Sequence, residues 1–209
     1  MRIKDYSALI ENLPYKNQSF IVKANNWSKY STLCSDYKLF EDNSEIRISR
    51  KDLFEASTNT KLFIIKTLMW GYPNGGRGGN IKKVLDTSIL YKVSEILDGY
   101  RNQNISHDQF ITDLKSIHGL GISTITKFLY FLNTKVNGYP SLILDERIMR
   151  VVSEGVFEEL NELGKLRREN ASKKYPKYLK LMNELAEDIK VKPDQLELFL
   201  FMFGQNLKE

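Results

Sequence analysis

Cysteine is almost absent: Cys34 is the single one in 209 residues. That excludes an internal disulfide, a cysteine-ligated iron–sulfur cluster and a multi-cysteine zinc site. Histidine is scarce as well. Only His107 and His118 are present, too few for a histidine-rich metal centre. No run of about 18 uncharged apolar residues exists to span a membrane. The opening MRIKDYSALIENLPYK lacks the apolar core of a signal peptide. The expectation is a cytoplasmic protein with no membrane partner. Neither sign of charge dominates. Lys and Arg number 31 against 26 Asp and Glu, a net charge of +5 that permits a polyanionic partner without demanding one. GGRGG lacks the GK[ST] ending of a phosphate-binding P-loop, and no GxSxG elbow occurs.

What is present is an ordinary globular chain. Hydrophobic residues are 42% and charged residues 27% of it, values that argue against disorder. The length allows one or two small domains. The first fifty residues are weakly patterned, with QSFIVKA and EIRIS readable as short strands or irregular chain. From Asp52 the apolar spacing turns helical. DLFEASTNTKLFIIKTLMW reads as helix with a break near Ser57–Asn59. Gly71 to Asn80, GYPNGGRGGN, stops any helix, since five glycines and a proline make a loop. IKKVLDTSILYKVSEILDGY carries a continuous helical stripe from Ile81 to Leu97. No Asn-Gly hairpin between alternating strands stands out, and the expectation is a mainly α protein.

The most informative segment runs from Ser106 to Asp145. Ser106 and Gln109 have capping-box spacing before a helix bearing Phe110, Ile111, Leu114 and Ile117. His118-Gly119-Leu120-Gly121 is too short for anything but a tight turn. A second helix follows, with Ile125, Phe128, Leu129 and Leu132 on one face. Glycine lets backbone approach a ligand closely, and a helix N-terminus offers free N–H groups and a positive dipole end. The turn suits a phosphate and would position DNA rather than read it. A plain turn between two helices fits the same residues.

LKSIHGLGISTITKFLYF followed by LILDERIMRVV resembles the helix-hairpin-helix and trailing aspartate of the base-excision DNA glycosylases. Within that superfamily the closer likeness is to small bacterial 8-oxoguanine DNA glycosylases. WGYPNGGRGGNI resembles the loop that pushes an Asn into the duplex, and QLELF matches that group's spacing of a base-reading Gln and a base-stacking Phe. The resemblance implies a two-lobed helical fold without an added β domain. Its parts would be an N-terminal segment 1–51 packing with the last lobe, a central lobe 52–140 with the hairpin at about 106–133, and a C-terminal lobe 141–209. It implies a monomer acting on double-stranded DNA with a damaged or modified base, and no required cofactor.

Residue by residue, the resemblance puts DNA contacts at Arg77, Asn80 and the backbone of Gly119, Gly121, Ser123 and Thr124. Base contacts fall at Gln195 and Phe199. A monovalent cation on the carbonyls of Lys115, Ile117 and Leu120 is also implied. Asp145, which reads equally as an ordinary helix cap, would stabilise positive charge as the base leaves. In bifunctional members a lysine two residues after the second hairpin Gly attacks the sugar, and Ser123 stands there. Lys127 lies one turn further on the same face, away from the apolar stripe at about 100° per residue, and is the candidate nucleophile. Such a lysine must be neutral to attack, which requires apolar surroundings. Three readings follow: a glycosylase with β-lyase activity through Lys127, a monofunctional glycosylase using Asp145 and water, and a hairpin module that only binds DNA. A helical scaffold unrelated to nucleic acid is a further, weaker fit. The basic run Lys165 to Lys180 reads as a solvated helix face and turn that adds salt-sensitive backbone attraction.

Overall fold

The computed structural model describes residues 1–76 and 79–207. It is mainly α, as the periodicity predicts, with two small sheets among the described residues. After α1 (Ser7–Glu11), the segments QSFIVKA and EIRIS form strands β1 (Ser19–Lys23) and β2 (Glu45–Ser49), antiparallel, with α2 (Ala24–Trp27) and α3 (Ser31–Asp36) between them. Val22 and Ile48 are buried while Ile21 faces out, the alternation a one-sided sheet needs. Ser49 ends β2 and caps α4 (Arg50–Ala56) through a capping box with Asp52.

The predicted break near Ser57–Asn59 is real. Asn59 caps α5 (Thr60–Gly71), accepting from Leu62 N–H. Phe63, Ile64, Ile65, Leu68, Met69 and Trp70 are all buried, so α5 is apolar all round and packs against α4, β1 and its later neighbours. One continuous helix was expected from Ile81 to Tyr100, but two form. They are α6 (Asn80–Val84) and α7 (Thr87–Tyr100), parted at Leu85–Asp86, where the Asp86 carboxylate accepts from Ser88 N–H. A local Asx cap outcompetes the apolar stripe there.

β3 (Asn104–Ile105) leads into α8 (His107–Ser116), whose Ser106 cap accepts from Gln109 N–H. The Gln109 amide turns to Asp113 instead of closing the expected box. After the turn come α9 (Ile122–Phe131), β4 (Lys135–Val136) and β5 (Tyr139–Pro140). Contrary to the sequence reading, an Asn-Gly hairpin is present. Asn137 and Gly138, at φ 50° and 87°, join β4 to β5, the positive dihedrals a two-residue turn requires. Strands of two residues are too short to show alternation.

The extended run Leu142–Leu144 then crosses the core into α10 (Glu146–Ser153). The basic run forms part of α11 (Arg168–Asp188), with Pro176 inside it. Proline has no N–H for the Ser172 carbonyl one turn back. The His107 ring takes that place, its Nε2 2.8 Å from the Ser172 oxygen; since a carbonyl only accepts, Nε2 carries the proton. This ties α8 to α11. Last comes α12 (Pro193–Met202), which packs against α10, α11 and α1. Tyr6 also contacts Phe199 from the chain's start, at 5.3 Å between ring centres. The segment 1–51 therefore divides its contacts, its first residues on α12 and its sheet on α4 and α5. No helix among the described residues is long and apolar enough to cross a membrane.

A buried extended run outside any sheet needs other partners for its backbone. Tyr175 donates to the Leu142 carbonyl at 2.7 Å and Tyr178 to the Ile143 carbonyl at 3.0 Å. Leu144 N–H donates to Thr126 Oγ1 at 3.1 Å. Tyr178→Phe leaves a buried carbonyl without its donor and should cost about 1–3 kcal/mol. Urea unfolding should show a lower midpoint at an unchanged slope; an unshifted midpoint would contradict the assignment.

Candidate functional site

A cleft of about 800 Å³ opens between the hairpin turn, the end of α5 and the start of α10. Gly119, Gly121, Ile122, Ser123 and Thr124 line one edge, Tyr72, Asn74 and Asn80 the next, and Asp145, Glu146, Arg147 and Arg168 the third. Gly119 explains the close approach of hairpin and loop. Its φ is +91°, and a Cβ there would stand 3.0 Å from Lys83 Cβ and 3.2 Å from the Asn80 carbonyl. Arg77, expected at this rim, lies outside the described residues. Asn80 is exposed at the first position of α6, whose N-cap is Gly79; it lines the cleft and is not itself the cap.

Lys127 lines the cleft and is 5% exposed. Its stem lies along Gly71, where a Cβ would meet Lys127 Cδ and Cε at 3.2 Å. Helical side chains lean toward the helix N-terminus. Lys127 Nζ accordingly reaches back one turn and donates to the Ser123 carbonyl at 2.7 Å. It also sits 6.0 Å from the centre of the Tyr72 ring. Tyr72 is fixed in turn by a 2.7 Å hydrogen bond between its hydroxyl and Thr124 Oγ1. A lysine one turn late in the sequence thus presents its amine at the level of Ser123.

Asp145 lines the same cleft and caps α10. Its Oδ1 accepts from Arg147 N–H at 3.0 Å and Ile148 N–H at 3.1 Å. The cap is formed, and the same carboxylate belongs to the wall of the cleft. The structure brings together Lys127, Asp145, Asn80 and the hairpin residues Gly119, Gly121, Ser123 and Thr124. One hairpin detail differs from expectation. Thr124 N–H donates to the Gly121 carbonyl at 3.0 Å and is engaged within the turn. The outward N–H groups at this terminus are those of Ile122 and Ser123, which have no acceptor four residues back in the helix. Lys115 and His118 are exposed on the hairpin, and the Ile117 carbonyl accepts from Leu120 N–H at 3.3 Å. The rim carries both signs of charge: Arg147 is exposed, and Arg168 is paired with Glu146 at 2.8 Å; beside the cleft, Lys83 Nζ lies 3.0 Å from His118 Nε2.

Gln195 and Phe199 are not brought to the cleft. Gln195 closes the N-terminal box of α12 with Lys192 N–H at 3.0 Å, and its amide donates to the Glu11 carbonyl. Phe199 is fully buried, with Tyr6, Phe157 and Phe203 around it. The pair with the same spacing that does line the cleft is Glu197 and Phe201, two residues on. A two-residue step turns a helix by about 200°, so the opposite face of α12 looks into the site.

Glu197 and its partner Arg50 are missed by the sequence reading. Arg50 Nη1 lies 2.7 Å from Glu197 Oε2, and the two side chains are 1% and 0% exposed. Arg50 Nε donates to Gln18 Oε1 at 2.6 Å and Nη1 to the Tyr130 hydroxyl at 3.2 Å. The guanidinium lies 5.6 Å from the Trp70 ring and 5.2 Å from the Tyr130 ring. Burial acts to lower the pKa of Arg50, but Glu197 and Tyr130 outweigh it, so the guanidinium stays charged. Burial pushes the Glu197 carboxyl up to about 6 against the pull of Arg50. Nothing in the spacing of Arg50 and Glu197, 147 positions apart, signals this contact.

Residues 14–201 match the family described as "Putative 8-oxoguanine DNA glycosylase OGG-like protein". Comparison with curated proteins and with solved structures found no match.

Removing one member of a buried ion pair leaves an uncompensated charge. Arg50→Met should lower unfolding stability by about 3–5 kcal/mol, and adding Glu197→Leu should restore much of it. A double variant no more stable than Arg50→Met would show that the pair is not coupled in this way.

Proposed function

The chain belongs to the 8-oxoguanine DNA glycosylase OGG-like family, and from that premise we propose that it flips a modified base of the 8-oxoguanine type out of duplex DNA and removes it. The observation that carries this reading is one cleft lined by Lys127, Asp145 and the hairpin turn. A base inside a duplex is out of reach, so the nucleotide must leave the stack at a cost of a few kcal/mol. The hairpin's outward N–H groups hold the backbone phosphate, and Asn80 stands where a wedge fills the vacated space.

The Lys127 amine, in its neutral form, then bonds to C1′ through Nζ as the bond from C1′ to the base breaks; the base departs with that electron pair and takes up the proton that the new C1′–Nζ bond makes Nζ shed. Asp145 stabilises the positive charge that builds on the sugar; its capping bonds fall on Oδ1 and leave Oδ2 for this work. Opening of the sugar ring gives an imine between Nζ and C1′. Loss of a proton from C2′ expels the 3′ phosphate and nicks the strand. The stem of Lys127 lies along Gly71 and its amine faces the Tyr72 ring, so little of the side chain meets solvent. A monofunctional glycosylase is the second reading. Ser123 occupies the family's lysine position, and the Lys127 amine is already engaged by the Ser123 carbonyl. Asp145 would then activate water and Lys127 would be a nearby cation.

Borohydride should trap a covalent protein–DNA adduct on a duplex with 8-oxoguanine. Lys127→Gln should abolish trapping and leave duplex binding within a few-fold. Asp145→Asn should slow base release by roughly 10²-fold, because its interaction grows only toward the transition state. Trapping that survives Lys127→Gln would move the amine elsewhere, and base release with no trapping would favour the second reading.

Gly121 tests the hairpin separately. A Cβ there meets nothing within 4 Å, and φ is not in the left-handed region, so a side chain is tolerated by the fold. Gly121→Arg should weaken binding to all duplexes alike at moderate salt while unfolding stability holds. Wild-type affinity in that variant would show that the hairpin is not the anchor.

A further inference from the structure

The chain between β1 and β2 has no part in the chemistry described above. It leaves the sheet for α2, the short 3-10 turn Ser28–Tyr30 and α3 before β2 returns. Two antiparallel strands need no such excursion, since a two-residue turn can join them. What the excursion touches is the loop that leads from α5 to Asn80. Asn26 Nδ2 donates to the Pro73 carbonyl at 3.4 Å and to Asn74 Oδ1 at 3.3 Å. Gly75, at φ +79°, lets the two backbones meet, because a Cβ there would overlap the Asn26 carbonyl oxygen. Gly76 is pressed against α6 in the same way, where a Cβ would overlap Ile81 Cδ1. Gly119 of the hairpin packs on the same helix at Asn80 and Lys83. The elements therefore follow one another in a fixed order: hairpin, α6, loop, α2.

The surface that α2 and the turn add is suited to a phosphate backbone. From Lys23 to Ser35 the chain holds two lysines and no acid. Asn25, Ser28, Lys29, Ser31 and Thr32 are exposed there, and these are the polar and basic kinds that bond phosphate oxygens. Lys23 stands opposite Glu45 across the sheet. Lys29 has no such neighbour. Its ammonium lies 5.2 Å from the Tyr30 ring centre and, among the described residues, in no ion pair. Trp27 and Tyr30 are buried with their rings 5.2 Å apart, so Lys29 stands on a packed base. A wedge at Asn80 parts the two strands of a duplex. The strand that gives up its nucleotide lies on the hairpin side of the wedge, and the strand that stays stacked lies on the side of the loop and α2. Building on the glycosylase reading above, we infer that the excursion between β1 and β2 is a second DNA-contact surface, on which Lys29 pairs with a phosphate of the strand opposite the flipped nucleotide. Asn26 ties that contact to the loop that carries the wedge.

The test measures affinity by fluorescence anisotropy, from about 50 to 200 mM salt, for a duplex with a tetrahydrofuran abasic analogue, which is bound without being cut. Lys29→Gln should flatten the slope of log K against log salt by about 0.9, the loss of one phosphate contact. Lys61→Gln, at the far end of α5 from the cleft, should keep the wild-type slope. Phosphates of the opposite strand are then replaced, one at a time, by uncharged methylphosphonates. One position should flatten the wild-type slope and leave that of Lys29→Gln unchanged. Replacements beside the analogue in its own strand should weaken both proteins alike. A Lys29→Gln slope equal to that of the wild type overturns the inference, and so does the lack of any opposite-strand position that separates the two proteins. Either result leaves the glycosylase reading standing if the wild type releases 8-oxoguanine. The expected slopes without base release support the surface and overturn the glycosylase reading. No duplex binding by the wild type overturns both.

Discussion

An extended stretch of buried backbone with no sheet to join is the constraint on which the rest of this structure depends. Leu142, Ile143 and Leu144 are all fully buried, and their peptide groups must find partners inside the protein. α11 supplies two tyrosine hydroxyls and α9 supplies Thr126. Burial raises the pKa of both hydroxyls far above their ordinary range, so they remain donors at any working pH. The result is a rigid stalk ending at Asp145. The helix that holds the stalk, α9, is also the one that carries Lys127. One residue after Lys127's neighbour Ser123 comes Thr124, which fixes Tyr72 against the amine. Position of the acid and position of the amine are therefore set by the same helix.

The cleft walls come from distant parts of the chain, and a second buried interaction joins them. Arg50 belongs to α4 and Glu197 to α12, with Gln18 and Tyr130 completing the cluster. A buried pair of this kind is weak evidence of stability in itself, because desolvation offsets much of the attraction. Its value here is geometric. It places a buried charged pair on the wall of the cleft that Lys127 and Asp145 also line.

How much of this was legible in the sequence follows from how local each signal is. The hairpin and its flanking helices rest on short-range spacing, and the helices form where the pattern puts them; Lys127 and Asp145, singled out through the resemblance, line one cleft. The break between α4 and α5 was legible because Asn59 caps in place. The break at Asp86 was not, because the apolar stripe continues across it and the deciding cap is a single side chain. The Asn137-Gly138 hairpin escaped because strands of two residues leave no alternation to read. α12 is the instructive case. Leu196, Leu198, Phe199 and Leu200 are all buried, so the helix is apolar on several sides and its periodicity does not say which face meets the cleft. Only the packing of Phe199 against Tyr6 and Phe157 decides that Glu197 and Phe201 face inward. Contacts between residues so far apart in the chain leave no local trace.

The central claim is that the amine of Lys127 acts on the sugar in the cleft it shares with Asp145. Peptide mapping by mass spectrometry of the borohydride-reduced complex tests it most directly. The account predicts a reduced sugar remnant on the peptide that contains Lys127, at Lys127 itself. A remnant on any other lysine, or on the amino group of Met1, would contradict it.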